Sequence, residues 1–208
     1  MNKSELIRKV NTEHKAVAFT FDDGPDPAYT SELLDIFKSV SGKATFFMVG
    51  DQMKKYPELV RQVHEHGHEI GNHTLTHPYL SKLSADESMN EIAATALVAK
   101  ELTGKLPATF RPPYLDYTKD IVTICKTIAN RMIGAVNLDT EDWAAPGVDH
   151  IVKTSRKHLA NGAILIYHDG FGDRSQTVEA VRILVKEAAD QGYKLVTVTE
   201  LLELGEAM

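Results

Sequence analysis

Residues 16–25 read Ala-Val-Ala-Phe-Thr-Phe-Asp-Asp-Gly-Pro. An apolar and aromatic run that stops at two carboxylates and a Gly-Pro turn is the pattern of a strand buried on both faces. Similar short runs recur at Ala44–Val49, His68–Gly71, Ala108–Arg111, Met132–Val136, Ala163–Tyr167 and Lys194–Val198. Helical patterns lie between most of them: Ser31–Val40, Pro57–His66, Ser84–Thr103, Lys119–Ala129, Asp149–Ala160 and Thr177–Gln191. Proline at a helix start and glycine just past a helix end, as at Pro57, Gly67, Gly104 and Gly192, set the boundaries. Alternating strands and helices predict βαβ units and a parallel α/β sheet. Seven strands suit either a barrel-like closure or an open doubly wound sheet, and the pattern alone does not choose.

The composition excludes several functions. The 208 residues carry 23 Lys and Arg against 29 Asp and Glu, a net charge of −6, with no basic cluster for nucleic-acid phosphates. No apolar run approaches the roughly 18 residues of a membrane helix. A single Cys125 excludes an intramolecular disulfide framework. Neither GxGxxG nor GxxxxGK[ST] occurs, so dinucleotide and P-loop sites have no support, and there is no GxSxG elbow. Without repeats or linkers, residues 1–208 read as one domain. The start, MNKSELIRKV, lacks the apolar stretch of a secretory signal. The chain as written is cytosolic, or a mature or trimmed form of an exported protein.

Polar clusters follow the strand candidates: Asp22–Pro25, His73–His77, Arg111–Tyr114, Asp139–Trp143 and His168-Asp169. Ligands in parallel α/β folds bind at the carboxyl ends of strands, so five such clusters predict one composite site. His73 and His77 are spaced i, i+4, which on a helical turn puts both rings on one face, within reach of a metal ion. Two His and a carboxylate are a common catalytic zinc set. Asp23, His73 and His77 supply it, leaving Asp22 as a base toward water. A buried Arg111 would orient Asp22 bidentately. Asp142 paired with His168 would raise its pKa and suit it as a general acid. Taken singly, each has a structural reading as well: a turn, a solvated histidine, a surface arginine, a packing tryptophan. His64, His66 and His68 read as background, and His150 and His158 as helix residues without a nearby partner. Cys125 reads as a buried small hydrophobe.

The ordered set Thr20-Phe-Asp-Asp-Gly-Pro25, His73-Thr-Leu-Thr-His77, Arg111-Pro-Pro-Tyr114, Asp139-Thr-Glu-Asp-Trp143 and Ile166-Tyr-His168 resembles the five motifs of the polysaccharide deacetylases. This is carbohydrate esterase family four, or the NodB-homology domain, and the resemblance spans about residues 16–200. It implies a distorted (β/α)7-type barrel and a metal-dependent deacetylase. By position it makes Asp23, His73 and His77 the metal ligands, usually of zinc, with cobalt or manganese as alternatives. Asp22 would be the base, His168 the acid, Arg111 the partner of Asp22 and Asp142 that of His168. The Tyr114 N–H would meet the oxyanion, and Trp143 and Ile166 would line the acetyl pocket. The family usually has leucine at the Ile166 position, a volume-conserving change.

The implied substrate is an N-acetylglucosamine polymer or oligomer: peptidoglycan, chitin or chito-oligosaccharide. The alternatives are an O-acetyl xylan esterase, a small cyclic-amide hydrolase, and a carbohydrate-binding module without catalysis. Short connections favour an open groove. An acetylated carbohydrate is the only partner implied, and no protein partner is. This family mostly works outside the membrane, so its resemblance sharpens the question of an export segment.

Overall fold

The computed structural model describes residues 5–128 and 130–208. The order begins β1 (Val10–Asn11), β2 (Ala16–Asp22), α1 (Tyr29–Ser39), β3 (Thr45–Met48), α2 (Gly50–Lys55), α3 (Pro57–Glu65) and β4 (Glu69–Asn72). It continues with α4 (Ala85–Thr103), β5 (Thr109–Phe110), α5 (Lys119–Thr127), β6 (Arg131–Met132), α6 (Val148–His158) and β7 (Ile164–His168). It ends with α7 (Ser175–Asp190), β8 (Lys194–Leu195), α8 (Val198–Glu203) and β9 (Glu206–Ala207). The sheet runs β6-β5-β4-β3-β2-β7, with β8 beside the start of β2, and every pairing in it is parallel.

Alternation along β2 separates two environments. Val17, Phe19 and Phe21 face outward and pack with Phe37 of α1, Phe46 of β3 and Tyr167 of β7 in the main core. Ala16 and Ala18 face inward with Phe47, Ile133, Ile164 and, from α8, Val198 and Leu201. Small alanines leave room for that helix to plug the bottom of the barrel. Thr20 and Asp22 continue the inner face, so the interior passes from apolar to polar toward the strands' carboxyl ends. At the bottom, Glu69 accepts from the hydroxyls of Thr45, Thr109 and Thr199 and from Thr199 N–H, at 2.7–3.0 Å.

The sheet is curled and its seam lies between β6 and β7. Main-chain hydrogen bonds across it are few: Val136 N–H to Ile164 O is 3.0 Å. The side chain of Asn137 takes over the ladder, accepting from Ile166 N–H (2.7 Å) and donating to Ile166 O (3.0 Å). Isolated bridges Ile7↔Ile133 and Lys9↔Ala163 fill the gap below. The fold is the distorted parallel α/β barrel that the motifs imply.

All seven strand candidates and all six helices exist, with shifted ends. Met132–Val136 is strand only at its start, because residues after Ile133 leave β5 to fill the seam. Lys194–Val198 is cut short because Thr197 caps α8 with a reciprocal bond to Glu200. The helix expected over Lys119–Ala129 is observed to Thr127, and Ala129 lies outside the described residues, as do Met1 to Ser4 of the start. Helices α2 and α8 and the antiparallel β1–β9 pair have no expected counterpart; six and two residues are too short for a periodic signal. His158 does have a partner, contrary to its reading as an isolated helix residue: its Nε2 lies 2.7 Å from Asp139 Oδ1.

Candidate active site

The ends of β2, β4, β5 and β7 each deliver one part of the site, and the long connection after β6 delivers Asp142 and Trp143. Asp22 is the last residue of β2, and the chain then turns through Asp23 with φ 77°. That left-handed residue swings the second carboxylate away from the first, a sharper separation than strand alternation alone gives. Below the turn, Asp169 is buried and accepts from Thr30 Oγ1 (2.5 Å). Burial, together with the nearby carboxylates, raises Asp169 to about 7.

His73 and His77 leave β4 on an irregular loop, not a helical turn as their spacing predicts. Thr74 and His77 take φ of 67° and 61°. The loop still brings the rings together, with centroids 4.9 Å apart. His73 Nε2 and His77 Nε2 lie 3.4 and 3.1 Å from Asp23 Oδ1. The three ligand atoms fall within 4.8 Å of one another. His73 Nδ1 faces Arg111 O at 2.7 Å, an acceptor that fixes the proton on Nδ1 and frees Nε2. Asp23 Oδ1 is buried without a hydrogen bond of its own. Burial alone raises the Asp23 carboxyl, but the His73 and His77 rings hold it well below the usual carboxylate range. An orphaned anionic oxygen facing two imidazole nitrogens fits a divalent cation.

Arg111 is fully buried at the end of β5. Its Nη1 donates to Asp22 Oδ1 (2.7 Å) and Thr20 Oγ1 (2.8 Å), and Nη2 to Gly134 O (3.0 Å). The guanidinium lies over the Phe47 ring at 4.3 Å. The contact with Asp22 is through one nitrogen, not the bidentate fork expected, because Thr20 and the seam carbonyls occupy the other donors.

His168 ends β7. Its Nδ1 lies 2.9 Å from Asp142 Oδ1, and its backbone N–H donates to Asp142 Oδ2 (2.8 Å). Thr177 Oγ1 donates to the same oxygen at 3.0 Å. Burial works against protonation of His168, but the Asp142 carboxylate, with Asp22 and Asp23 behind it, raises it to about 9.

Asp22, Asp23, His73, His77, Tyr114, Asp142, Trp143, Ile166 and His168 all line one cleft of about 930 Å³, with Arg111 beneath it. Exposed Tyr79, Tyr114, Leu138, Trp143 and Phe171 form its rim. Apolar faces around a few polar groups suit a sugar-sized ligand. His68, by contrast, is packed against Phe37 and Phe46, where burial lowers it to about 4. Cys125 is buried, which raises its thiol to about 12.

Arg174, which also lines the cleft, escaped sequence reading. Arg174 is buried and donates to Gly170 O (2.7 Å), Trp143 O (2.7 Å) and Phe171 O (2.5 Å). It ties the Trp143 loop to the loop after His168. Nothing in its local sequence marks it, since its partners are distant carbonyls.

The chain is similar to known proteins. The family model described as polysaccharide deacetylase matches residues 9–133. The peptidoglycan-N-acetylglucosamine deacetylase of Bacillus cereus is 42% identical over 196 residues, covering 93% of this chain and 91% of the relative. A chitooligosaccharide deacetylase of Bradyrhizobium is 35% identical over 195 residues, covering 87% and 88%. The solved structure of peptidoglycan deacetylase PdaC from Bacillus subtilis superposes with a TM-score of 0.85 at 32% identity, covering 94% and 93%.

Proposed function

The chain belongs to the polysaccharide deacetylase family, and we propose that it hydrolyses the N-acetyl amide of N-acetylglucosamine units in peptidoglycan. It is a hydrolase of N-acetyl amide bonds in N-acetylglucosamine polymers. Peptidoglycan is favoured over chito-oligosaccharide by the higher identity to the Bacillus cereus relative. The carrying observation is the convergence of Asp23 Oδ1, His73 Nε2 and His77 Nε2 beside the Asp22–Arg111 and His168–Asp142 pairs.

Asp23, His73 and His77 would hold a divalent cation, which we assign as zinc because two imidazoles and a carboxylate are a zinc donor set. Bound there, zinc would polarise the amide carbonyl and lower the pKa of water. Asp22 takes the proton of the attacking water, through the oxygen that Arg111 does not hold. Arg111 fixes the direction of that carboxylate from below. The Tyr114 N–H donates to the oxygen that becomes negative as the carbonyl carbon turns tetrahedral. His168, with Nδ1 engaged by Asp142, uses Nε2 to protonate the leaving nitrogen. The C–N bond breaks, and acetate and a glucosamine unit leave. Trp143 and Ile166 enclose the acetyl methyl.

Among the described residues no helix is long and apolar enough to cross a membrane. With this substrate, the site of action is the cell envelope. Acetate release from peptidoglycan, chito-oligosaccharides and acetylated xylan, with zinc-loaded protein, tests the reading. Release from the N-acetylglucosamine substrates is expected. Release from xylan alone, or from none, contradicts it.

A further inference from the structure

The peptide joining the two ligand histidines has no regular structure to hold it. Thr74 and His77 are both left-handed, a conformation that residues other than glycine adopt reluctantly. Its shape therefore depends on neighbours, and two elements grip it. On one side, Gly50 and Asp51 at the start of α2 donate their N–H groups to Thr74 O (2.9 Å) and Leu75 O (3.0 Å). A Cβ at Gly50 would sit 2.8 Å from Leu75 Cδ1, 2.9 Å from Thr95 Oγ1 and 3.3 Å from Leu75 Cα, so a larger residue would push against the loop at this close approach.

On the other side stands one side chain. Glu91, a turn and a half into α4, accepts from Leu75 N–H (2.8 Å) and Thr76 N–H (2.9 Å) with Oε2. Its Oε1 accepts from Thr76 Oγ1 (2.9 Å). The Thr74 and Leu75 carbonyls face α2, and the Leu75 and Thr76 N–H groups face a single carboxylate, while Thr74 N–H goes to Asn72 Oδ1. Among the described residues Glu91 makes no ion pair, so its charge is spent on these charge-assisted bonds. Next along α4, Ile92 O accepts from Asn72 Nδ2 (2.8 Å), which fixes the residue before His73.

We propose that Glu91 is a positioning residue for the metal centre, holding the 74–76 peptide so that His73 and His77 meet Asp23 on one point. The proposal rests on the metal reading of Asp23, His73 and His77. Without the Glu91 carboxylate, the Leu75 and Thr76 N–H groups lose their partner and His77 drifts from Asp23. The position is fourteen residues past His77 and carries no motif of its own.

Zinc affinity, measured by competition with a chromogenic chelator on purified protein, tests this without reference to turnover. Glu91→Ala is expected to bind zinc roughly 10–100-fold more weakly, the usual cost of losing a partner behind the ligands. Glu91→Gln keeps an oxygen for the two backbone N–H groups and is expected to stay within a few-fold of the parent. Thermal melting of the metal-free proteins verifies that the variants are folded at the assay temperature. A folded Glu91→Ala protein with zinc affinity within twofold of the parent overturns the proposal, whatever its melting temperature. A parent protein that binds no zinc overturns the metal reading, and this proposal with it.

Discussion

Asp22 and Asp23 are neighbours in sequence with unlike surroundings. Asp22 ends a strand against a buried guanidinium, and Asp23 turns through positive φ toward two imidazoles. One backbone dihedral thus splits two identical side chains between two proposed tasks, proton acceptor and ligand. His168 shows the same control by surroundings. Its pKa stands near 9, above the ordinary 6.5, because of Asp142. A raised folded-state value means the pair stabilises the fold fully below about pH 6.5 and loses that contribution as pH rises through about 9. The same protonated form is the proposed general acid. Asp142→Asn is therefore expected to move the alkaline limb of kcat/KM to lower pH and cut turnover at pH 8 by about tenfold, within the range of general acid catalysis. A pH profile with an unmoved alkaline limb would remove Asp142 as the group that tunes His168.

At the scale of elements, short strands point residues inward while the loops after them carry the chemistry. Helix α4 links the two, since Glu91 and Ile92 brace the ligand loop. Its start is secured by a capping box: Ser84 Oγ accepts from Glu87 N–H, and Glu87 accepts in return from Ser84 N–H. Ser84→Ala is expected to lower stability by about 1 kcal/mol in urea unfolding, with kcat unchanged, because the cap lies two turns before Glu91. A change below about 0.3 kcal/mol would show that packing alone sets this helix start. Ser84, Pro57 and Gly104 were readable in sequence because caps and breakers act locally. The 73–77 turn was not: its i, i+4 spacing fits a helix, while its shape comes from α2 and α4. Arg174 and Glu91 stayed hidden for the same reason, being defined by partners remote in sequence.

For the molecule as a whole, the strand–helix alternation was legible, but the choice between barrel and open sheet was not. That choice lies in the seam. Asn137 pairs with Ile166 N–H and O where main-chain bonds run out, and Ile166 lines the cleft. Asn137→Ala leaves both groups buried without partners and is expected to cost about 1–3 kcal/mol in urea unfolding, with a raised KM. Unchanged stability and KM would mean the seam closes without it. Four of the five motif clusters were readable because each follows its strand directly, and curling the sheet only gathers them; Asp139–Trp143 lies beyond the end of β6. The proposed mechanism depends on a division of labour between the adjacent aspartates. The measurement that reaches it most directly is bound zinc per chain and turnover on N-acetylglucosamine oligomers for Asp22→Asn. The expected result is zinc retained at the parent's level with turnover down by about 10²–10⁴-fold. Turnover equal to the parent's, or loss of the zinc, would contradict it.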